Sequence, residues 1–199
     1  MRKRFLLIAV TIVCCFWILG ATADVPTQLQ VGAAAPNFEL VADTGEKVSL
    51  AQLKGKTVVL EWANPDCPFV KRHYAANTME LLAKQYSSQD VVWLAINSSK
   101  TATHESNRAW KAAEGFAYPV LDDNSGSVGK LYGARTTPHM YVVDKEGILR
   151  YQGAIDSDSS GDEAQATNYV KQALDELLAG KAVTTPQSKP YGCSVKYRS

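Results

Sequence analysis

In "ANPDCPFVKRH", residues 63–73, a lone cysteine stands where its neighbours favour a reactive thiol. Cys67 follows the short β-rich run "TVVLEW" and the polar turn Asn64-Pro65-Asp66, and Pro68 suits the first turn of a helix because its missing N–H costs nothing there. A thiol at a helix start faces free N–H groups, which lower its pKa, and the thiolate is the nucleophile. Lys71, Arg72 and His73 follow within two turns and would add positive potential, while the polar turn argues for exposure against the alternative of an inert buried cysteine. Val70 occupies the position where a second cysteine would complete a C-x-x-C pair. Six residues before Cys67, Glu61 interrupts an apolar strand. Burial there would raise its pKa into the range of a working proton acceptor; at a polar sheet edge it would simply be solvated.

A partner for Cys67 has to come from elsewhere in the 199 residues. Arg2-Lys3-Arg4, the apolar run Phe5–Gly20 and the small-x-small triplet Ala21-Thr22-Ala23 have the form of a secretory signal. Sixteen helical residues reach only about 24 Å, short of the roughly 30 Å hydrocarbon core, so cleavage after Ala23 is expected rather than stable membrane insertion. Cleavage removes Cys14 and Cys15 and leaves two cysteines, Cys67 and Cys193. An even number in an exported chain points to a disulfide or a cycling thiol pair. Twelve extended residues span roughly 40 Å, so the tail that carries "KPYGCSVKY" is long enough to bring Cys193 to Cys67. A free thiol, or a bond between two chains, is the alternative.

The elements that must position these groups are readable from pattern. Phe38–Leu40 and Val48–Leu50 flank the turn Asp43-Thr44-Gly45 as a hairpin. Thr57–Trp62 and Val91–Ile96 read as buried strands, with a helix from Pro68 to about Tyr86 between them. A helix over 103–114 ends at Gly115, a short turn of helix covers 128–132, and 140–143 and 149–153 form a second hairpin. Glu163–Leu178 is an amphipathic helix closed by Gly180. "DSDSSGDE", residues 156–163, lacks EF-hand spacing and is read as a solvated loop. Strands joined through helices become parallel neighbours and the late hairpin adds antiparallel ones. The expectation is an α/β chain with a central mixed sheet flanked by helices, an N-terminal hairpin, a signal at 1–23, one domain over 24–180 and a tail over 181–199. With 46% hydrophobic and 21% charged residues and a formal charge of +1, the composition is globular and gives no nucleic-acid footprint.

"VVLEWANPDCPFV" resembles the active-site strand and helix start of the thioredoxin superfamily, with Cys67 matching the nucleophilic cysteine and Glu61 the buried acid. "YGARTTPHMYVVDKEG", residues 132–147, resembles its cis-proline loop and following hairpin. With the "VGAAAPNFEL" opening, residues 31–180 look most like peroxiredoxin-like redoxins of the alkyl hydroperoxide reductase/thiol-specific antioxidant class. The resemblance implies a thioredoxin-like fold, a cis Pro138, Thr137 facing Cys67, and a loop that offers its backbone to an extended substrate. The match departs from true peroxiredoxins, which carry Pro and then Thr or Ser seven and three residues before the cysteine; Leu60 and Asn64 stand here, and their cysteine aligns with Val70 rather than Cys67, so the peroxidase site is absent in its usual form.

The expected function is an exported thiol-dependent oxidoreductase, periplasmic or secreted, that needs no cofactor and no metal. Cys67 attacks, Glu61 moves protons, Thr137, Pro138 and Arg135 shape the substrate site, and Cys193 resolves. Its partners would be a disulfide-bearing protein or a hydroperoxide, together with an exported thiol reductant. The alternative is a copper chaperone holding Cu(I) through Cys67, His139 and Met140, since soft sulfur ligands suit that ion.

Overall fold

The apolar runs become the inner strands. In the computed structural model, which describes residues 29–198, Thr57–Trp62 (β3) is buried at every position and pairs in parallel with Val91–Asn97 (β4). A strand covered on both faces carries no polar alternation, which is why the single carboxylate in β3 stands out. The signal at 1–23 and its cleavage point lie outside the described residues.

Seven strands form one mixed sheet. Glu39–Ala42 (β1) and Lys47–Ser49 (β2) make the expected first hairpin, and β1 pairs antiparallel with Val120–Asp122 (β5). β4 lies between β5 and β3, and His139–Val143 (β7) pairs antiparallel with β3 and then with Leu149–Gly153 (β8). Residues of β3 alternate between two cores. Val58, Leu60 and Trp62 pack with Tyr132 and Tyr141, while Val59 and Ala63 pack with Val70, Tyr74, Trp110 and Leu174. This is the α/β thioredoxin-like arrangement that the resemblance implies.

Three expectations change. The helix from Pro68 breaks into Pro68–Ala75 (α1) and Thr78–Tyr86 (α2), because Asn77 adopts a left-handed conformation (φ 55°), which asparagine tolerates better than most residues. His104–Glu114 (α3) and Ser127–Tyr132 (α4) form as expected, α3 capped by Thr103 and ended by Gly115. The last helix, Tyr169–Leu178 (α5), begins six residues later than the pattern suggests. Asn168 caps it by accepting the Lys171 N–H, and the preceding acidic stretch curls around Asp158, whose carboxylate accepts N–H groups of Gly161, Asp162 and Glu163. Those residues have satisfied their backbone locally and gain nothing from joining the helix.

The third change is the tail, which is a strap packed on the fold. Pro186 O accepts from Gln152 N at 3.1 Å, and Ser188 N donates to Gln152 O at 3.2 Å, so the strap first runs along β8. Cys193–Ser194 (β9) then pairs antiparallel with Thr136–Thr137 (β6) as a separate two-stranded sheet. Val195 N donates to Arg135 O, and the Tyr197 hydroxyl donates to Ala134 O at 2.7 Å. Among the described residues, no helix is long and apolar enough to cross a membrane.

Candidate active site

Cys67 is the N-cap of α1, with Pro68 at the first helical position. Asn64 builds the turn before it: its carbonyl accepts the Cys67 N–H at 3.0 Å and its side chain accepts the Asp66 N–H at 2.9 Å. The thiol donates to the Thr137 carbonyl at 2.9 Å, and the Thr137-Pro138 bond is cis. Cys67 is only 1% exposed, against the exposure its polar turn suggested. The strap and the Thr137 loop supply the cover.

Burial pushes the Cys67 thiol up, but hydrogen bonding from the Cys193 thiol, from Thr137 and from the Val70 and Cys193 backbone outweighs it and holds the thiol below its ordinary value. Cys193 moves the other way. Its own burial and the neighbouring Cys67 push it up to about 11. Within the pair, Cys67 is the more acidic thiol and Cys193 the less acidic. The basic residues after Cys67 play no part in this, because α1 turns them elsewhere. Arg72 donates to the carbonyls of Asp158 (2.7 Å) and Ser159 (3.3 Å), and burial keeps the His73 pKa below its ordinary value. The Thr137 hydroxyl is buried and has no hydrogen-bond partner, which leaves it free to donate to the thiolate once the Cys67 proton has gone.

Glu61 is fully buried. Desolvation raises its pKa to about 7, although three aromatic donors stabilise its charge: Trp93 Nε1 (2.9 Å), Tyr74 (3.2 Å) and Tyr118 (3.4 Å). The single Tyr118 proton is shared between Glu61 and the nearer Tyr74 hydroxyl, 2.9 Å away, which closes the cage. The solvated sheet edge is therefore excluded. Tyr74 belongs to α1, so the helix that Cys67 caps is tied at its far end to the buried acid. The aromatic donors were not singled out in the sequence; an acid amid "VVLEW" requires such donors, but nothing local says which residues supply them.

Cys193 reaches the site because β9 seats it opposite Thr137, whose carbonyl accepts the Cys67 thiol. No disulfide joins the two cysteines in this structure. Just before it, Tyr191 anchors the strap to α1. Its hydroxyl donates to Asp156 and lies 2.9 Å from His73 Nε2 and 3.4 Å from Arg72, and its ring lies 5.9 Å from that of Phe69. A tyrosine has one proton to give, so neutral His73 must carry its own on Nε2 and donate it. Gly192 follows with φ 125°, and a Cβ there would fall 2.1 Å from the Thr137 carbonyl oxygen. The "YG" before the cysteine was the sequence signal for this close approach.

Other candidates separate. Arg135 is exposed, and its backbone does the visible work: its N–H donates to His139 Nδ1 at 3.3 Å and its carbonyl accepts from Val195. His139 pairs with Trp62 and packs against Tyr141, the rings tilted with centroids 4.6 Å apart, in one core, while Met140 pairs with Glu61 and belongs to the other. Neighbours in a strand point to opposite faces, so Cys67, His139 and Met140 do not converge as copper ligands. Burial, aided by the positive Arg135, holds His139 near 3 and therefore neutral. Among the described residues no cluster of three or more His, Cys, Asp or Glu side chains is arranged to hold a metal.

The chain is 31% identical over 124 residues to the thiol-disulfide oxidoreductase ResA of Bacillus subtilis, a match covering 60% of this chain and 65% of that one. It is 30% identical over 132 residues to the peroxiredoxin-named protein bcp of Coxiella burnetii, covering 66% and 84%. A crystal structure of a hypothetical protein from Sinorhizobium meliloti superposes with a TM-score of 0.78 at 31% identity, covering 86% of this chain and 97% of the other. Residues 31–152, which hold Glu61, Cys67 and the Thr137-Pro138 loop, match the AhpC/TSA family, and the chain belongs to that family.

Proposed function

We propose that this protein is a thiol-dependent oxidoreductase that cycles Cys67 and Cys193 between two thiols and one disulfide, with a hydroperoxide as the oxidant. The observation that carries this reading is the seat of Cys193 against Thr137, the residue whose carbonyl accepts the Cys67 thiol. The Cys67 thiolate attacks the outer peroxide oxygen, the O–O bond breaks, and the leaving alkoxide takes a proton. The sulfenic acid on Cys67 is then attacked by the Cys193 sulfur, giving the disulfide and water. Glu61, with its pKa raised to about 7, exchanges protons near neutral pH. Thr137 supplies its hydroxyl, and Pro138 and Arg135 hold the loop that shapes the substrate site. A thiol reductant returns the disulfide to two thiols.

A small oxidant is favoured over a protein disulfide because Cys67 is covered by the strap. Leu60 and Asn64 in place of the usual peroxidase residues mean that this chain activates the peroxide with donors of its own, Thr137 among them. The domain over 24–180 carries the chemistry and the tail over 181–199 completes it. Removal of residues 1–23 would deliver it to the periplasm or the outside, where N-terminal sequencing should find Asp24 first. One equivalent of hydrogen peroxide per chain should abolish both free thiols and leave a monomer whose peptide map links Cys67 to Cys193. Two remaining thiols, or a bond only between chains, would remove Cys193 from the mechanism. Cys193→Ser should accumulate sulfenic acid on Cys67.

A further inference from the structure

The strap does more than carry a cysteine to the site. Its two-residue strand forms an antiparallel pair with the edge Thr136–Thr137, in the register Thr136↔Ser194 and Thr137↔Cys193. That edge is a strand-addition surface, where backbone hydrogen bonds bind an extended segment and one side chain in two points at the site. The side chain so placed is a thiol, beside Cys67. Gly192 fits flush against the Thr137 carbonyl, and Tyr191 fastens the segment to His73, Arg72 and Asp156. The strap therefore has the shape of an extended peptide carrying a cysteine, docked in place.

We infer that the strap is a built-in competitor for this edge: an extended, cysteine-bearing segment of a protein partner docks on Thr136–Thr137 and reaches Cys67 only when residues 189–198 lift away. The inference rests on Cys67 being the nucleophile. It divides the traffic of the site by size. A hydroperoxide needs no displaced strand, whereas a protein substrate pays the cost of lifting one. A segment that binds only the lifted form has its affinity reduced by the lifted fraction, and the Tyr191 contacts and the Gly192 fit set that fraction.

The test uses full-length Cys193→Ser protein, so that no internal disulfide forms and no turnover is required. Two probes carry the same reactive bond: a cysteine peptide and cysteamine, each joined by a disulfide to thionitrobenzoate. The Cys67 thiolate attacks the peptide or cysteamine sulfur, a new disulfide forms, and the coloured thionitrobenzoate anion leaves with the electron pair of the broken bond. Gly192→Ala drives a methyl group into the Thr137 carbonyl, and Tyr191→Phe removes the anchoring hydroxyl while keeping the ring. Both variants should accelerate the peptide probe more than cysteamine, by about tenfold for Gly192→Ala if it takes the strap from one-tenth lifted to fully lifted. Equal factors for the two probes, or unchanged rates in both variants, overturn strap competition while leaving Cys67 as the nucleophile. A Cys67 inert to both probes in every variant removes the nucleophile, and this inference with it.

Discussion

One short helix serves two polar clusters of opposite character. From α1, Tyr74 points into the core and helps cage Glu61, while its neighbours Arg72 and His73 turn outward to the strap and hold Tyr191. The inner cluster is sealed: its carboxylate is 0% exposed, its donors are aromatic side chains locked in packing, and its pKa climbs to about 7. The outer cluster joins the fold to the strap, whose Tyr191, Cys193 and Val195 are only partly buried where they pack on the two cores. The inner cluster sets a proton affinity; the outer one fixes the strap through Tyr191. Chemistry that must be reproducible is built on the sheet, and chemistry that must be exchangeable is built on the strap.

The largest effect should come from joining the two regions covalently. A Cys67–Cys193 bond closes a loop of about 127 residues, which the chain-entropy model values at roughly 5 kcal/mol at most. Because the strap is already seated in the reduced protein, the gain should fall below that ceiling, and calorimetry should show the oxidised form melting higher. An oxidised form that melts no higher would mean that the bond strains the seat.

Next is loss of the nucleophile. Cys67→Ser should lower peroxide turnover by at least about a thousandfold, the scale seen when a nucleophile is deleted from a working site, with the melting temperature nearly unchanged.

The inner cluster predicts a pH dependence of stability. Glu61 has a folded pKa of about 7, above its ordinary 4.5. Its contribution is fully present below pH 4.5 and is lost as the pH rises through 7. The loss is on the order of 3 kcal/mol. Glu61→Gln should flatten the denaturation free energy between pH 4.5 and 7; a slope that survives the substitution would place the titrating group elsewhere.

The smallest effect tests the outer cluster alone. Tyr191→Phe removes one hydroxyl from its three partners and should cost about 1 kcal/mol, felt in the strap and not in the sheet. Hydrogen exchange at residues 192–196 should quicken by about fivefold, with β3 and β4 amides unaffected. A change across the whole sheet would erase the distinction between the clusters.

The inner region was the more legible of the two in sequence. "TVVLEW" and "VVWLAI" announce buried strands by composition, Pro68 announces a helix start, and Glu61 is conspicuous because its neighbours are apolar. What escaped was fixed by contacts distant in the chain. Asn77 splits the helix through a conformation that a periodic pattern does not encode. The strap has no periodicity at all, being held by single groups such as Ser188, whose hydroxyl accepts the Ala154 N–H at 2.9 Å. The cover over Cys67 is hidden for the same reason, since it comes from residues 70 or more positions away. The opposed faces of His139 and Met140 were readable from strand alternation, once β7 was known to begin at His139.

The place of β9 in the chain has a consequence for biosynthesis. Every strand of the seven-stranded sheet precedes Cys193 in the chain, so a chain emerging from its N-terminal side can assemble the Glu61 cage and the Cys67 turn while the thiol is still uncovered. A segment made after the whole sheet closes the site. Until then Cys67 meets whatever thiols and oxidants surround the emerging chain, and a mixed disulfide acquired in that interval would keep β9 from its seat. The fidelity of this fold thus depends on timing as well as on packing: the strap must arrive before the thiol is claimed.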